Sequence, residues 1–265
     1  MEQVKRQSVL VAPRGRAAAG GRWGSFLSGV RAVFGGLGFV VTTPSAWGWA
    51  SIPVFVATVL FGGAGALAIW LGTDLAHRLL WDPGDGTGTV VAIWALRVLF
   101  WAIGLVIAFV IAMSLAQPLS GFALERIARK QEVALGGRTW PDQSFVAGSI
   151  RALQVSLTAL VIGLPILGAL AVLTFVIPPI AVVMVPLKFI VTGVLAAYDL
   201  LDYPLSVRGR TVSERVAFMK ANFAAVLGFG CAVAALLLIP GFGLFLLPFG
   251  AAGATRMVVE ADKTH

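Results

Sequence analysis

Of 265 residues, 58% are hydrophobic and 12% charged, against roughly 25% charged in a soluble domain, which excludes a water-soluble globular fold. The net charge of +8 fits a membrane chain whose basic residues gather in cytoplasmic loops near anionic lipid; without zinc-finger or RNP-like spacing, nucleic acid is excluded as a partner. Cys231 is the single cysteine, so no disulfide forms within the chain and the thiol reads as buried and inert.

Residues 1–22 are basic and rich in glycine and alanine. They lack an apolar core followed by a small-residue cleavage site, so they read as a disordered cytoplasmic arm. From Trp23 the pattern turns helical. Trp23, Phe26, Leu27, Val30, Phe34 and Leu37 recur at three- and four-residue spacings and predict one apolar stripe. With many glycines among them, this reads as a helix lying in the membrane interface and ending at Thr43-Pro44.

Trp47 to Leu71 is long enough to cross roughly 30 Å of hydrocarbon, and Trp47, Trp49 and Trp70 sit near its ends, where aromatic belts belong. A polar loop is expected over residues 72–89. Val90 to Ala116 is the second predicted span, with Arg97 near its start placed to snorkel or to pair within a bundle. The following block is charged and amphipathic. Leu119, Phe122, Ala123 and Ile127 share a face and Glu125 and Arg129 stand at i,i+4, predicting a surface helix closed by Gly136-Gly137.

Between Ala152 and Tyr198 the one formal charge is Lys188, and Pro165, Pro178-Pro179 and Pro186 interrupt the run. Proline removes a backbone donor, so FVIPPIAVV is expected to form the tip of a helical hairpin. The last uncharged block, Ala221 to Thr255, breaks at Pro240-Gly241 into arms of about 17 and 14 residues. Both fall short of the roughly 20 needed to cross, which predicts a re-entrant hairpin.

Between the hairpins lies YDLLDYPLSVRGRTVSERVAFMK. Pro204 is expected to stop the incoming helix and Ser206 to Arg210 to turn the chain. Thr211-Val-Ser-Glu214 has the form of a capping box that starts the next helix. Asp199 and Asp202 share a helical face; they cap or pair with nearby arginines such as Arg208 or Arg210, or else take part in proton or cation coupling.

Six basic residues and one acidic precede residue 47, whereas the 72–89 loop has one basic and three acidic. The positive-inside rule then places both termini and the amphipathic connectors in the cytoplasm. The expected fold is an all-α integral membrane protein. It has two long transmembrane helices, two helical hairpins of which at least the last is re-entrant, and amphipathic interfacial helices. Residues 23–258 form one membrane domain, with 259–265 a short polar tail. His77 and His265 are the only histidines, no acid pair lies beside either, and no metal-ligand or nucleophile-elbow spacing occurs. Neither enzyme chemistry nor a cofactor is expected.

Three strings resemble the CysZ-type sulfate permeases and their relatives in the etoposide-induced-protein family. The clearest is YDLLDYPLSVRGRTVSERVAFMKANFAAVLGFG, with Leu201-Asp202-Tyr203-Pro204, a basic helix over Ser213 to Lys220, and Gly228-Phe229-Gly230 leading into the final LLLIPGFGLFLLPFGAAGATRM. AQPLSGFALERIARK is similar to the family's proline-led amphipathic helix, and FLSGVRAVFGG to its glycine-hydrophobe-arginine start. The resemblance covers roughly residues 23–258. It implies sulfate uptake across a bacterial inner membrane, with Gly29, Val30 and Arg31 as the sulfate contacts. A dianion is well served by free backbone N–H groups near a helix start and by a guanidinium fork.

Lys188, Asp199 and Asp202 are the candidate pathway or coupling residues. A non-transporting membrane scaffold of the same family is the alternative, in which Arg31 anchors lipid phosphates. The partners expected are sulfate or a similar oxyanion and membrane lipid. Glycine-rich faces at Gly193, Gly228 and Gly230 also suggest a homo-oligomer.

Overall fold

The computed structural model describes residues 21–79, 86–140, 145–239 and 242–263. Among them are nine α-helices, one 3-10 turn and no strand. Most of the expected N-terminal arm, part of the 72–89 loop and the Pro240-Gly241 break lie outside the described residues. By their contacts the helices fall into two compact units, one of residues 51–120 and one formed by the segments on either side of it.

The 51–120 unit is a helical hairpin. Helix α2 (Pro44–Leu79) enters it at Ser51, and α3 (Thr87–Leu119) runs back alongside. The pairing is antiparallel: Phe61 meets Phe109 edge to face at 6.2 Å, and the Gly65 face rests on Leu105. Gly104 lies against Ala68. Trp101 Nε1 donates to Thr73 Oγ1 at 3.1 Å, so a polar indole is satisfied between two apolar helices. Arg97 stacks its guanidinium 5.3 Å from the Trp94 ring centroid. The loop expected from residue 72 begins later. Helix α2 runs on to Leu79 because Asp74 and Arg78 pair at i,i+4 across 2.7 Å on its surface.

The larger unit holds α1 (Gly21–Thr42), α4 (Gly121–Ala134), α5 (Phe145–Val176), α6 (Ala181–Val207), α7 (Val212–Ala221), α8 (Phe223–Leu237) and α9 (Gly243–Lys263). Helix α1 lies against α8 and α9, while α6 meets α4, α5, α8 and α9. Helix α1, expected to lie in the membrane interface, is at 22 residues also long and apolar enough to cross a membrane. Its packed face is distinct from the apolar stripe of large residues. Gly29, Ala32, Val33, Gly36 and Val40 face inward, whereas Trp23 and Phe34 are 70% and 54% exposed. Lipid tails are as apolar as leucine, so nothing drives large side chains inward, and close approach of backbones favours small ones.

Glycine seams carry that approach. At the α1–α8 crossing a Cβ on Gly29 would strike the Ala225 carbonyl oxygen, and one on Gly228 the Phe26 carbonyl oxygen. At α1–α9, Gly36 abuts Gly253, which in turn lies against Ala32 and Val33; at α6–α8, Gly193 faces Gly230. Phe229, Leu124, Ile127 and Leu201 fill the remaining interior.

Helices α5 and α6 pack antiparallel about the 3-10 turn Pro178–Ile180, with Gly163 against Leu195. Helix α6 does not stop at Pro204. It continues to Val207 and ends in a Schellman motif: Gly209 takes φ +68°, its N–H bonds Ser206 O, and the Arg210 N–H bonds Leu205 O at 3.0 Å. Gly136, at φ +71°, closes α4 in the same way. The predicted capping box is present, with Thr211 and Glu214 exchanging side-chain and backbone bonds.

The last pair departs from two equally short arms. Helix α8 has 15 residues and meets α7 at a 94° bend, but α9 has 21 and counts as a candidate span. It outruns its apolar stretch because Arg256 and Glu260 pair at i,i+4 across 2.8 Å, and it takes in much of the expected polar tail. The length argument for a re-entrant hairpin therefore holds for α8 alone.

Candidate anion site and the charged helix junction

Gly29, Val30 and Arg31 lie two turns inside α1. Free N–H groups belong to a helix's first turn, so amides at 29–31 are engaged in the helix ladder, contrary to the expectation of a helix start. Gly29 is turned to α8, Val30 is half-buried, and Arg31 is exposed. Of the three, the Arg31 guanidinium is the group able to meet an anion. It has no ion-pair partner among the described residues, whereas Arg208, Arg210, Arg215 and Arg256 each hold a carboxylate.

Lys188 stands half-buried near the start of α6, also without an ion pair among the described residues. Asp199 and Asp202 lie toward the other end of that helix. Asp202 is buried in an ion pair with Arg215 of α7. The expected pairing with a nearby arginine is thus made, by Arg215 in place of Arg208 or Arg210. Pro204 does not break the helix, so Asp202 remains on a face that meets α7, while Arg208 is carried past it. Asp199, one turn earlier, is half-buried. The structure thus gathers Asp199 and Asp202 at one end of α6 and leaves Arg31 and Lys188 on separate helices.

Around that end lies a junction the sequence did not announce. Arg208 donates from Nη2 to Glu132 Oε1 of α4 at 2.9 Å and from Nη1 to Asp262 Oδ2 of α9 at 2.5 Å. Trp140 Nε1 donates to the same Glu132 oxygen at 2.8 Å, and Arg129 Nη1 donates to the Trp140 carbonyl at 2.5 Å. Lys263 Nζ caps the Leu135 carbonyl at 2.8 Å. Arg215 Nε adds a bond to the Arg210 carbonyl at 3.1 Å. Four helices, α4, α6, α7 and α9, are tied by charge-assisted bonds, the strong class of hydrogen bond. The nearest sequence signal was Arg208 beside a helix-ending glycine, where a cation suits the helix dipole; nothing marked Glu132. At the surface, Glu214 is held below the ordinary carboxylate range by the Thr211 N–H and hydroxyl and by Arg210.

This junction answers why aspartates, tyrosine, proline and arginines interrupt so apolar a chain: they fasten the return between two helical pairs. It is a structural clasp, with no cluster of metal-ligating side chains among the described residues.

Among the described residues five helices are long and apolar enough to cross a membrane, and the protein is a multi-pass membrane protein. No curated protein matches the chain. Residues 32–248 match the family described as Sulfate transporter CysZ/Etoposide-induced protein 2.4. The match begins one residue after Arg31 and ends before the close of α9, so it takes in Glu132, Asp202, Arg208 and Arg215 but neither the glycine-valine-arginine string nor Asp262 and Lys263. Covering most of the length, it establishes that the chain belongs to the Sulfate transporter CysZ/Etoposide-induced protein 2.4 family.

Proposed function

We propose that the protein mediates uptake of sulfate or a related oxyanion across a bacterial inner membrane, with both termini cytoplasmic and Arg31 as its anion contact. The observation that carries this reading is Arg31 itself, an exposed guanidinium on an apolar helix with no carboxylate among the described residues to satisfy it. Gly29 and Val30 serve it indirectly, the first by letting α1 lie close to α8. Lys188 is the cationic group we assign to the anion's path. We assign no coupling role to Asp202, whose carboxylate is already committed to Arg215. Asp199, one turn away on α6, is retained as the candidate coupling carboxylate. The assembly we propose is a homo-oligomer, because α8 is too short to cross unaided and a single subunit is poorly placed to enclose a path.

Radiolabelled sulfate uptake into proteoliposomes tests this, with an Arg31→Ala variant beside the wild type. Uptake above empty vesicles that is lost in the variant is the expected result. Equal, negligible flux for two folded proteins would instead favour the scaffold reading. That alternative is favoured by one observation: α5 and α6 present Val161, Phe175, Val182 and Val183 outward, with Lys188 the one formal charge from Ala152 to Tyr198. In it, Arg31 holds lipid phosphate.

A further inference from the structure

We propose that Arg256 of α9 joins Arg31 to form a two-guanidinium site for a tetrahedral oxyanion; this rests on the reading of Arg31 as an anion contact. Gly35 lies one turn beyond Arg31 on α1, and side chains four apart on a helix stand about 5–6 Å from one another. Glycine offers no side chain there, and Arg256 fills the vacant place from the neighbouring helix. Its Nη1, Cδ and Cζ lie 2.7, 2.8 and 3.1 Å from where a Cβ on Gly35 would be. A Cβ direction tilts toward the helix N-terminus, so the place this guanidinium fills at Gly35 is on the side of α1 from which Arg31 projects.

The chemistry favours a shared anion. Arg256 spends Nε on Glu260 at 2.8 Å, leaving the terminal nitrogens of its fork as donors. It is 39% exposed and so open to a ligand, as is Arg31. Two guanidinium groups one turn apart repel each other, and a dianion between them turns that repulsion into paired, charge-assisted hydrogen bonds. Sulfate and a lipid phosphate share this chemistry.

Sulfate binding to the purified full-length protein in phosphatidylcholine nanodiscs tests the site with radiolabelled sulfate as probe. Arg256→Ala is expected to weaken binding about tenfold or more, the scale of a lost charge-assisted bond. Gly35→Ala retains both arginines, and the three atoms its methyl would meet first all belong to the movable Arg256 side chain. It is expected to weaken binding as well, by displacing that guanidinium, while Glu260→Gln removes the competing negative charge beside Arg256 and tightens binding. Wild-type affinity in folded Arg256→Ala and Gly35→Ala, with loss in Arg31→Ala, overturns the two-arginine site and leaves the Arg31 reading standing. No binding by the wild type overturns both. Nanodiscs containing phosphatidylglycerol separate the ligand sources: unchanged sulfate binding assigns the site to the free ion, and competition assigns it to a lipid headgroup.

Discussion

Arg208 and Glu132 meet at 2.9 Å with their side chains 6% and 2% exposed, and the bond joins the end of α6 to the last turn of α4. Removing one partner strands the other as a buried charge, which costs about 3–5 kcal/mol. Arg208→Met and Glu132→Gln should therefore each lower the melting temperature of the detergent-solubilised protein markedly. Asp262→Asn should cost less than about 1 kcal/mol, because Asp262 is 59% exposed and its attraction is screened. Thermal unfolding followed by intrinsic fluorescence checks the order.

The Asp202–Arg215 pair separates a structural aspartate from a coupling one. Asp202→Ala should destabilise by about 3–5 kcal/mol, and removing both charges in Asp202→Asn/Arg215→Gln should recover part of the loss. Sulfate uptake per folded molecule should be unaffected in the double variant. A selective loss of uptake there, with stability restored, would overturn the structural assignment.

The glycine seams predict a sharp contrast within one helix. Gly29→Ala drives a methyl into the Ala225 carbonyl, and Gly228→Ala into that of Phe26. Each should cost about 1–3 kcal/mol or more, since backbone cannot move aside as a side chain can. Gly38→Ala, on the same helix with nothing within 4 Å, should leave stability unchanged or raise it by up to about 1 kcal/mol through helix propensity. Melting curves of the three variants decide it.

The capping box predicts a pH dependence confined to α7. Glu214 titrates below its ordinary value of 4.5 because the folded chain hydrogen-bonds its charged form. A lowered carboxylate pKa stabilises the fold above the unfolded value, and that stabilisation is lost as pH falls through the folded value. Amide exchange at the start of α7 should therefore be slower in the wild type than in Glu214→Gln at pH 7. The two should converge as pH falls below 4.5 and through the lowered folded value.

Features whose partners lie close in sequence were legible. Thr211 and Glu214 find each other three residues apart, and Pro178-Pro179 turns the chain wherever it falls. Arg215, by contrast, takes its aspartate from the preceding helix, and Glu132 waits 76 residues for Arg208; no local pattern records such pairings. The large apolar residues of α1 were legible as one stripe, whereas its packed face of Gly29, Ala32, Val33, Gly36 and Val40 was not, because small residues carry no hydrophobic periodicity. The limits of α2 and α9 were set too early because Asp74–Arg78 and Arg256–Glu260 let helix continue where hydrophobicity stops. For the candidate site, Arg31 was legible from a local string, while Arg256 became visible only through the space left at Gly35.

The seam between Gly29 and Ala225 also fixes an order of events during synthesis. Helix α1 leaves the ribosome first, yet the backbones it docks against, α8 and α9, are encoded about 200 residues later. At roughly 5–20 residues per second, α1 waits on the order of 10–40 s for them. Through that interval its small-residue face has no native counterpart, and the larger unit can close only once translation is almost complete. A chain truncated before α8 would keep every residue of α1 and lose both of the surfaces that hold it.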